Sequence, residues 1–579
     1  MTILGISAFY HDSTAALVQD GMLIAAAQEE RFTRKKHDSS FPVNAIRFCL
    51  NEAGVSPNEL DAVTYYEKPF IKFERILLTY LGTFPKSMHS YLKALPLWLK
   101  QKLWISHLIR KELDYDGEIL FTEHHQSHAG AAFLSSPFEE AAILTLDGVG
   151  EWATATMGIG KGNRIEILKE IHFPHSLGLF YSALTYYLGF RVNSAEYKVM
   201  GLAPYGKPRL MDKMRELIHY FPDGAFSLNM KYFAFDYGLT MTNRRFEKLF
   251  GQPRRRPDLE LTGFHRDVAA SGQKMLEEIV LNAARILREE TGQKNLCLSG
   301  GVALNSVANG RLLREKIFDN IFIQPAASDA GSALGAALLA ANQLKKEKRR
   351  FVMTHAYWGS LAKNAEIERF LNHYKIPFQK YSEEKLTRKT AALLAEGMIV
   401  GWFQGRSEFG PRALGNRSIL ADPRRPDMKD RINARVKFRE AFRPFAPSVI
   451  LEKMPDYFDL DCPSPFMLFV APVKQPDKIP AVTHIDGTAR VQTVTQETNP
   501  RFYRLLEAFE EKTGIPALLN TSFNVRGEPI VETPEEAFTC FMRTGMDALS
   551  MGDYLLDKLE MPPIDFFDFL DKPFKFEED

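Results

Sequence analysis

Within the run Glu-His-His-Gln-Ser-His-Ala-Gly-Ala-Ala at positions 123–132, His124 and His128 lie four residues apart. A helix there would put both imidazoles on one face, close enough to share a metal ion, and the small residues that follow would allow it to pack closely on a sheet. Paired histidines on a helix commonly bind nothing, so the company of this pair matters. The strand Ala142–Leu146 leads into Asp147-Gly148-Val149-Gly150-Glu151, and another hydrophobic run leads into Ser328-Asp329-Ala330-Gly331-Ser332. Each places an aspartate at a strand end beside glycine, where a carboxylate can meet a metal or metal-bound phosphates.

A second concentration of chemistry lies far downstream. Between Gln404 and Arg443 there are eleven Lys/Arg against five Asp/Glu, and several cations sit beside Gly, Pro or Phe, as in Gly410-Pro411-Arg412 and Phe442-Arg443-Pro444. Such placement suits preorganised forks for phosphate, and the short spacing favours a small polyanion over a nucleic acid. Beyond it, the β-like run Ala489–Val494 carries Arg490. A strand and turn from Leu519 to Ile530 offer hydroxyl, amide and guanidinium donors, Ser522 among them.

The elements that must position these groups read as α/β. Strands are predicted at Thr2–Ser7, Ser13–Val18 and Met22–Gln28, with a polar Tyr10-His11-Asp12-Ser13 connection able to hold phosphate. The charge run Glu29–Asp38 follows, with Lys35 and Lys36 in it. Residues 70–112 interrupt the α/β rhythm. From Lys86 to Lys111 they hold six cations and no acid among Trp and Leu residues, which reads as a helical cap divided at Pro96, or as a peripheral membrane contact through 86–111. A helix is expected over Pro174–Leu188. The stretch Glu196–Gly206 is too rich in Gly and Pro to be regular, and 207–262 reads as a basic, aromatic insertion. A long helix from about Val268 to Thr291 feeds the strand Asn295–Leu298, and Ser299-Gly300-Gly301 then opens another helix at which phosphate or sugar could approach the backbone. A charged helix ends near Arg350, which divides the chain into domains 1–350 and 351–579. The second begins its chemistry with a helix Glu383–Glu396 and a strand Met398–Phe403. The acidic and aromatic tail 564–579 is either a docked arm or disordered.

The composition is that of a folded globular protein, 45% hydrophobic and 25% charged. A formal net charge of +1 leaves no global field for nucleic acid. The cysteines Cys49, Cys297, Cys462 and Cys540 stand far apart with no CxxC, and read as reduced thiols of a cytoplasmic protein.

The order of motifs in the first half resembles the actin/sugar-kinase/heat-shock-ATPase nucleotide-binding fold. The His124/His128 pair with Asp329 narrows this to the metal-containing branch that includes the universal tRNA threonylcarbamoyl transferase. Across essentially the whole chain the sequence resembles the O-carbamoyltransferases that decorate antibiotics and nodulation factors, above all in Glu-Tyr-Lys-Val-Met-Gly-Leu-Ala-Pro-Tyr-Gly (196–206) and Phe-Arg-Pro-Phe-Ala-Pro-Ser (442–448). The resemblance implies a metal on His124, His128 and Asp329, joined by Asp147: Fe2+, with Zn2+ or Mn2+ as alternatives. It implies ATP with Mg2+, and a nucleotide lying against Asp147, Gly148, Lys198, Gly300, Gly301 and Asn305. A C-terminal domain resembling the YrdC-type threonylcarbamoyl-adenylate synthase would combine carbamoyl phosphate with ATP, using Arg412, Lys437, Arg443, Arg490 and Ser522. The N-terminal domain would pass the carbamoyl group to an acceptor hydroxyl of a sugar, an antibiotic or a lipid-linked glycan, with His11 as base and Lys36 on the carbamoyl group. The competing readings are a sugar or small-metabolite kinase on the same first-half fold, and a tRNA-modifying threonylcarbamoyl transferase-like protein.

Overall fold

The computed structural model describes residues 1–345 and 349–567. By its contacts the chain divides into two units. Met1–Glu29 and His37–Met353 form the first, and Glu30–Lys36 join the residues from Thr354 onward in the second. A contiguous first domain was expected, so the capture of seven early residues by the later unit is a departure from the sequence reading.

The first unit carries one strand plan twice. Its strands in chain order are β1 Thr2–Ser7, β2 Thr14–Gln19, β3 Met22–Gln28, β4 Ala62–Tyr65, β5 Glu118–Phe121, β6 Glu140–Leu146, β7 Ala153–Lys161, β8 Arg164–His172, a small β9–β10 hairpin (Ile218–Tyr220, Phe226–Leu228), β11 Asn295–Ser299 and β12 Asn320–Ile323. One sheet runs β3-β2-β1-β4-β5 and the other β8-β7-β6-β11-β12. In each, the first three strands form an antiparallel meander and the last two add in parallel. This duplicated order is the plan of the actin/sugar-kinase/heat-shock-ATPase fold. Local sequence explains the positions. Thr-Ile-Leu-Gly-Ile-Ser is uncharged, apolar between its terminal hydroxyl residues, and is buried on both faces as β1, whereas Arg-Ile-Glu-Ile-Leu-Lys-Glu-Ile-His alternates charge and forms the solvated edge β8.

Helices close the two sheets. His124–Phe133 follows β5, and Asp329–Lys345 follows β12. These two helices meet backbone to backbone: a Cβ at Gly335 would lie 1.8 Å from the Ser127 carbonyl oxygen. That contact sets the histidine-bearing helix against the one that starts at Asp329. Gly335→Ala should therefore cost about 1–3 kcal/mol by overpacking. Urea melts of the variant check it; an unchanged midpoint would mean that the helices have room to part.

Several expectations are corrected. Glu196–Leu202 is a helix and Ala203–Tyr205 a 3-10 turn, despite the glycine and proline. Burial of Lys198, Val199 and Leu202 against the long helix outweighs intrinsic propensity, and Pro204 sits where no backbone donor is required. Pro96 does not divide the cap, because the helix Met88–Leu97 runs over it and widens into a π turn, Trp98–Lys102. The helix expected from Pro174 starts at Leu177, capped by Ser176, whose hydroxyl accepts from the Leu179 amide. The long helix begins earlier, at Gly263. The helix after Asp329 is described as far as Lys345; positions 346–348 and most of the acidic tail, 568–579, lie outside the described residues.

The second unit is built on β13 Gln379–Lys380, β14 Val400–Phe403, β15 Arg417–Ala421, β16 Ala446–Ile450, β17 Phe469–Pro472, β18 Thr488–Val494, β19 Ala517–Ser522, β20 Ala548–Met551 and β21 Tyr554–Asp557. These make one mixed nine-stranded sheet, ordered β13-β21-β20-β14-β15-β19-β16-β18-β17, with the helices Glu383–Ala395, Pro500–Thr513 and Pro534–Arg543. Both units are thus α/β. No helix among the described residues is long and apolar enough to cross a membrane.

Candidate active site

In the first unit the helix after β5, the end of β6 and the helix after β12 deliver four ligand-type side chains to one point. His124, His128, Asp147 and Asp329 present donor atoms that all lie within 4.8 Å of one another, and all four residues are buried. His124 Nε2 is 3.1 Å from His128 Nε2 and 3.1 Å from Asp147 Oδ2; each imidazole Nε2 is 3.6 Å from Asp329 Oδ1. Both Asp329 oxygens are buried without a hydrogen-bond partner. An unpaired buried carboxylate costs several kcal/mol, which a bound cation would offset. The donor set of two imidazoles and two carboxylates fits a first-row divalent ion.

The supports behind these residues are those a metal site needs. His128 Nδ1 faces the hydroxyls of Ser299 (3.3 Å) and Ser332 (3.2 Å), which leaves Nε2 to the cluster. Glu67, ion-paired to Lys72, stands 4.0 Å from His124 Nδ1. Glu151 accepts the His124 amide at the start of its helix through both oxygens, at 3.2 and 3.1 Å. Burial raises the Asp329 carboxyl, but His124 and His11 overcome it and hold the group below its ordinary range.

His11 is held at Nδ1 by Asp12 Oδ2 (3.1 Å), so its Nε2 is the nitrogen available for proton transfer. Asp12 is itself fixed by His37 Nδ1 (2.7 Å) and the Ser328 hydroxyl (3.2 Å). Burial pulls the His11 imidazolium down, yet Asp329, Asp12 and Asp147 push it up to about 10. A dication on Asp329 and Asp147 would relieve most of that attraction.

In the second unit, the polar face of the central strands builds a cation cluster. Gln492 on β18 and Asn520 on β19 donate to the carbonyls of Leu414 (2.7 Å) and Ala413 (3.3 Å), which pins the loop that carries Arg412. Arg490, two residues before Gln492 on the same face of β18, feels the charges of Arg412, Arg439 and Arg443. Burial first, and then those three cations, hold its guanidinium well below the ordinary arginine range, and its Nε is buried without a hydrogen-bond partner. Lys437 ends a π-helical turn and donates to the Ser522 carbonyl and hydroxyl and to Asn524 O (2.9 Å) and Oδ1 (2.8 Å). Burial, followed by Arg439, Arg443 and Lys36, drives its pKa far down.

Two segments match family models described as the carbamoyltransferase N-terminus, over residues 2–338, and the carbamoyltransferase C-terminus, over 391–558. The chain is a carbamoyltransferase. It is 52% identical to the protein sll1178 of Synechocystis sp. over 97% of each chain, and 41% identical to nodulation protein NolNO of Sinorhizobium fredii over 96% of this chain and 80% of that one. Protein MJ1058 of Methanocaldococcus jannaschii is 32% identical over 96% of this chain and 99% of its own. Among solved structures, full-length HypF in its phosphate- and nucleotide-bound form matches at 12% identity and a TM-score of 0.31, over 59% of this chain and 56% of that one.

Within this carbamoyltransferase, several predicted residues take places that the sequence did not indicate. Lys36 groups with the second unit and acts on Lys437, whereas His11 belongs to the first. Asn305 does not offer its amide to a ligand: its Oδ1 caps the Ala308 amide (3.0 Å), and it exchanges two hydrogen bonds with Gln273. Gly300 has φ +91° and a Cβ there would fall 2.2 Å from the Leu146 carbonyl oxygen, so it is required for the approach to β6. The Gly301 amide is taken by Asp147 Oδ1 (2.8 Å). Lys198 is buried with its ammonium over the Phe190 ring. At Gly148 a Cβ would meet the Tyr10 hydroxyl at an ordinary contact distance of 3.9 Å, so this position is less crowded than Gly300 or Gly301. Glu67, Ser299, Ser332 and Arg439 were missed as site residues. Arg439 had a signal, because it stands four residues before Arg443.

Proposed function

We propose that this carbamoyltransferase is ATP-dependent and transfers a carbamoyl group to a hydroxyl oxygen in two stages. In the second unit, water cleaves carbamoyl phosphate to inorganic phosphate and carbamate. A carbamate oxygen then attacks the α-phosphorus of ATP, and pyrophosphate leaves. Carbamoyl phosphate, ATP and water thus give carbamoyl-adenylate, phosphate and pyrophosphate, as a YrdC-like domain would. Arg412, Arg443 and Arg490, with Arg439, bind the phosphate oxygens, and Lys437 holds Ser522 and Asn524 in place beside them. Lys36 adds its charge to this cluster.

In the first unit the acceptor oxygen attacks the carbamoyl carbon, its proton passes to His11 Nε2, and AMP leaves with the bonding pair. Asp12 fixes the imidazole for that transfer. The nucleotide would lie against Gly148, which is uncrowded, and Gly301, whose amide reaches Asp147, with Lys198 as a cation for its phosphate. His124, His128, Asp147 and Asp329 would hold a divalent metal, which supplies Lewis-acid stabilisation of charge on the phosphate that leaves. Fe2+, Zn2+ and Mn2+ all suit that donor set. A labile mixed anhydride made and used in one polypeptide is exposed less to water. The acceptor is a hydroxyl-bearing small molecule.

The observation that carries this reading is the convergence of four arginines on β18 and its pinned loop, which suits a doubly charged phosphate. Incubation of the full chain with ATP and carbamoyl phosphate tests it. Equal release of phosphate and pyrophosphate is expected, with AMP appearing as acceptor is carbamoylated. ADP formed only with acceptor, and no pyrophosphate, would identify a kinase instead.

A further inference from the structure

Residues 69–104 leave an apolar surface that the transfer reaction does not use. The helices Pro69–Gly82 and Met88–Leu97 pack against each other through Tyr80 and Tyr91, and Phe73 packs on Trp98 (ring centroids 5.8 and 5.9 Å). Their inner side is anchored to the first unit: Lys72 to Glu67, Lys102 Nζ to the Phe9 carbonyl (2.6 Å), Ser90 to the Tyr237 carbonyl (3.0 Å) and Arg75 over the Phe173 ring. The outer side carries Phe70, Leu81, Phe84, Leu92, Leu99 and Trp104, of which Phe70 is 69% exposed, Leu92 62% and Trp104 58%. Exposed apolar side chains concentrated on one segment that is anchored through its other residues mark a contact surface.

Its charge identifies the partner. Exposed Lys93 and Lys100 stand in sequence among these apolar side chains, whereas Lys86 turns its ammonium over the Tyr237 ring (5.4 Å); Glu74 is the single acidic residue from 69 to 111. Leucine, phenylalanine and tryptophan bordered by lysine match the chemistry of a bilayer interface, with the rings and aliphatic chains at the acyl boundary and the ammonium groups among anionic headgroups. A partner protein of ordinary composition would leave Lys93 and Lys100 without a carboxylate facing them.

We propose that this helical hairpin docks the protein on an anionic lipid surface. Docking does not depend on the reaction assigned above. It would bring the first unit to amphiphilic acceptors held in that surface, and to this extent it names the acceptor class.

Vesicle sedimentation of the full-length protein tests it, with phosphatidylcholine vesicles compared with vesicles in which a third of the lipid is phosphatidylglycerol. The anionic vesicles should bind at least tenfold more tightly, since each lysine near such a surface contributes roughly fivefold. Added salt should weaken binding. Lys93→Glu/Lys100→Glu should abolish the preference, and Leu92→Asp should weaken binding to either vesicle. Thermal melts and pyrophosphate release matching the parent protein would establish that the variants are folded. Absent binding to anionic vesicles overturns the proposal, as does binding unchanged in the folded lysine variant. Self-association through this face, broken by Leu92→Asp while vesicles are ignored, overturns it in favour of a second copy. Loss of pyrophosphate release with vesicle binding intact would count against the assigned reaction and leave docking standing.

Discussion

His128→Ala should strip bound metal from the protein and stop carbamoyl transfer while leaving pyrophosphate release nearly intact. The imidazole faces the three other donors through Nε2, and two serine hydroxyls hold its Nδ1, so the ring is fixed toward the cluster. Loss of one of four donors, together with its supports, should lower metal affinity by more than the 10–100-fold that outer-shell changes cost. Elemental analysis after dialysis is the direct readout: roughly one equivalent in the parent chain and a small fraction of that in the variant. Ser332→Ala should give a milder loss, because it removes one support and keeps the ligand. Full metal content in His128→Ala would place the metal elsewhere.

Arg490→Met should lower the use of carbamoyl phosphate and raise thermal stability in the same protein. Four guanidinium groups share this region, and the carboxylate beside them, Glu440, lies 3.6 Å from Arg443. Their repulsion is a cost that the fold carries without an anion. Removal of one charge should return ~1 kcal/mol of stability, as is common when functional strain is relieved. A charge-assisted hydrogen bond to phosphate contributes roughly 1.5–3 kcal/mol, so kcat/KM should fall about tenfold to a hundredfold or more. Phosphate should raise the melting temperature of the parent protein and have little effect on the variant. A variant that melts earlier than the parent would mean that Arg490 is structural. Arg443→Lys is a finer probe: the charge stays and the planar fork is lost, so KM for carbamoyl phosphate should still rise about tenfold.

What could be read from the amino-acid order depended on whether local pattern or distant packing decided each feature. The histidine helix and Asp147 at the end of β6 were legible, because period and a strand–glycine junction fix where such side chains emerge; Asp329, read at a strand end, opens a helix instead. The doubled strand order was legible only in outline, since alternation reveals strands and not which ones pair. Glu196–Gly206 was misread because its helix depends on burial against the helix Gly263–Thr291, far along the chain. Asn305 looked like a ligand donor beside paired glycines, and the amide of Gln273, thirty-two positions earlier, turns it into a structural pair. No pattern in the sequence announces such a partner. Lys36 was assigned to the carbamoyl group by resemblance alone, and no local pattern shows that the chain leaves the first unit between Glu29 and His37.

That excursion has a consequence for how the protein is made. Arg31 donates to the Gly410 carbonyl, and Arg34 donates to the carbonyls of Pro529 (2.9 Å) and Ile530 (2.8 Å). These partners leave the ribosome long after residues 30–36 do. At ~5–20 residues per second, roughly five hundred residues of synthesis take about 25–100 s. Through that interval the first unit must mature around a loop whose binding surface does not yet exist. A gene split near position 353 would put the loop and its surface on separate polypeptides, so rejoining would depend on their concentrations.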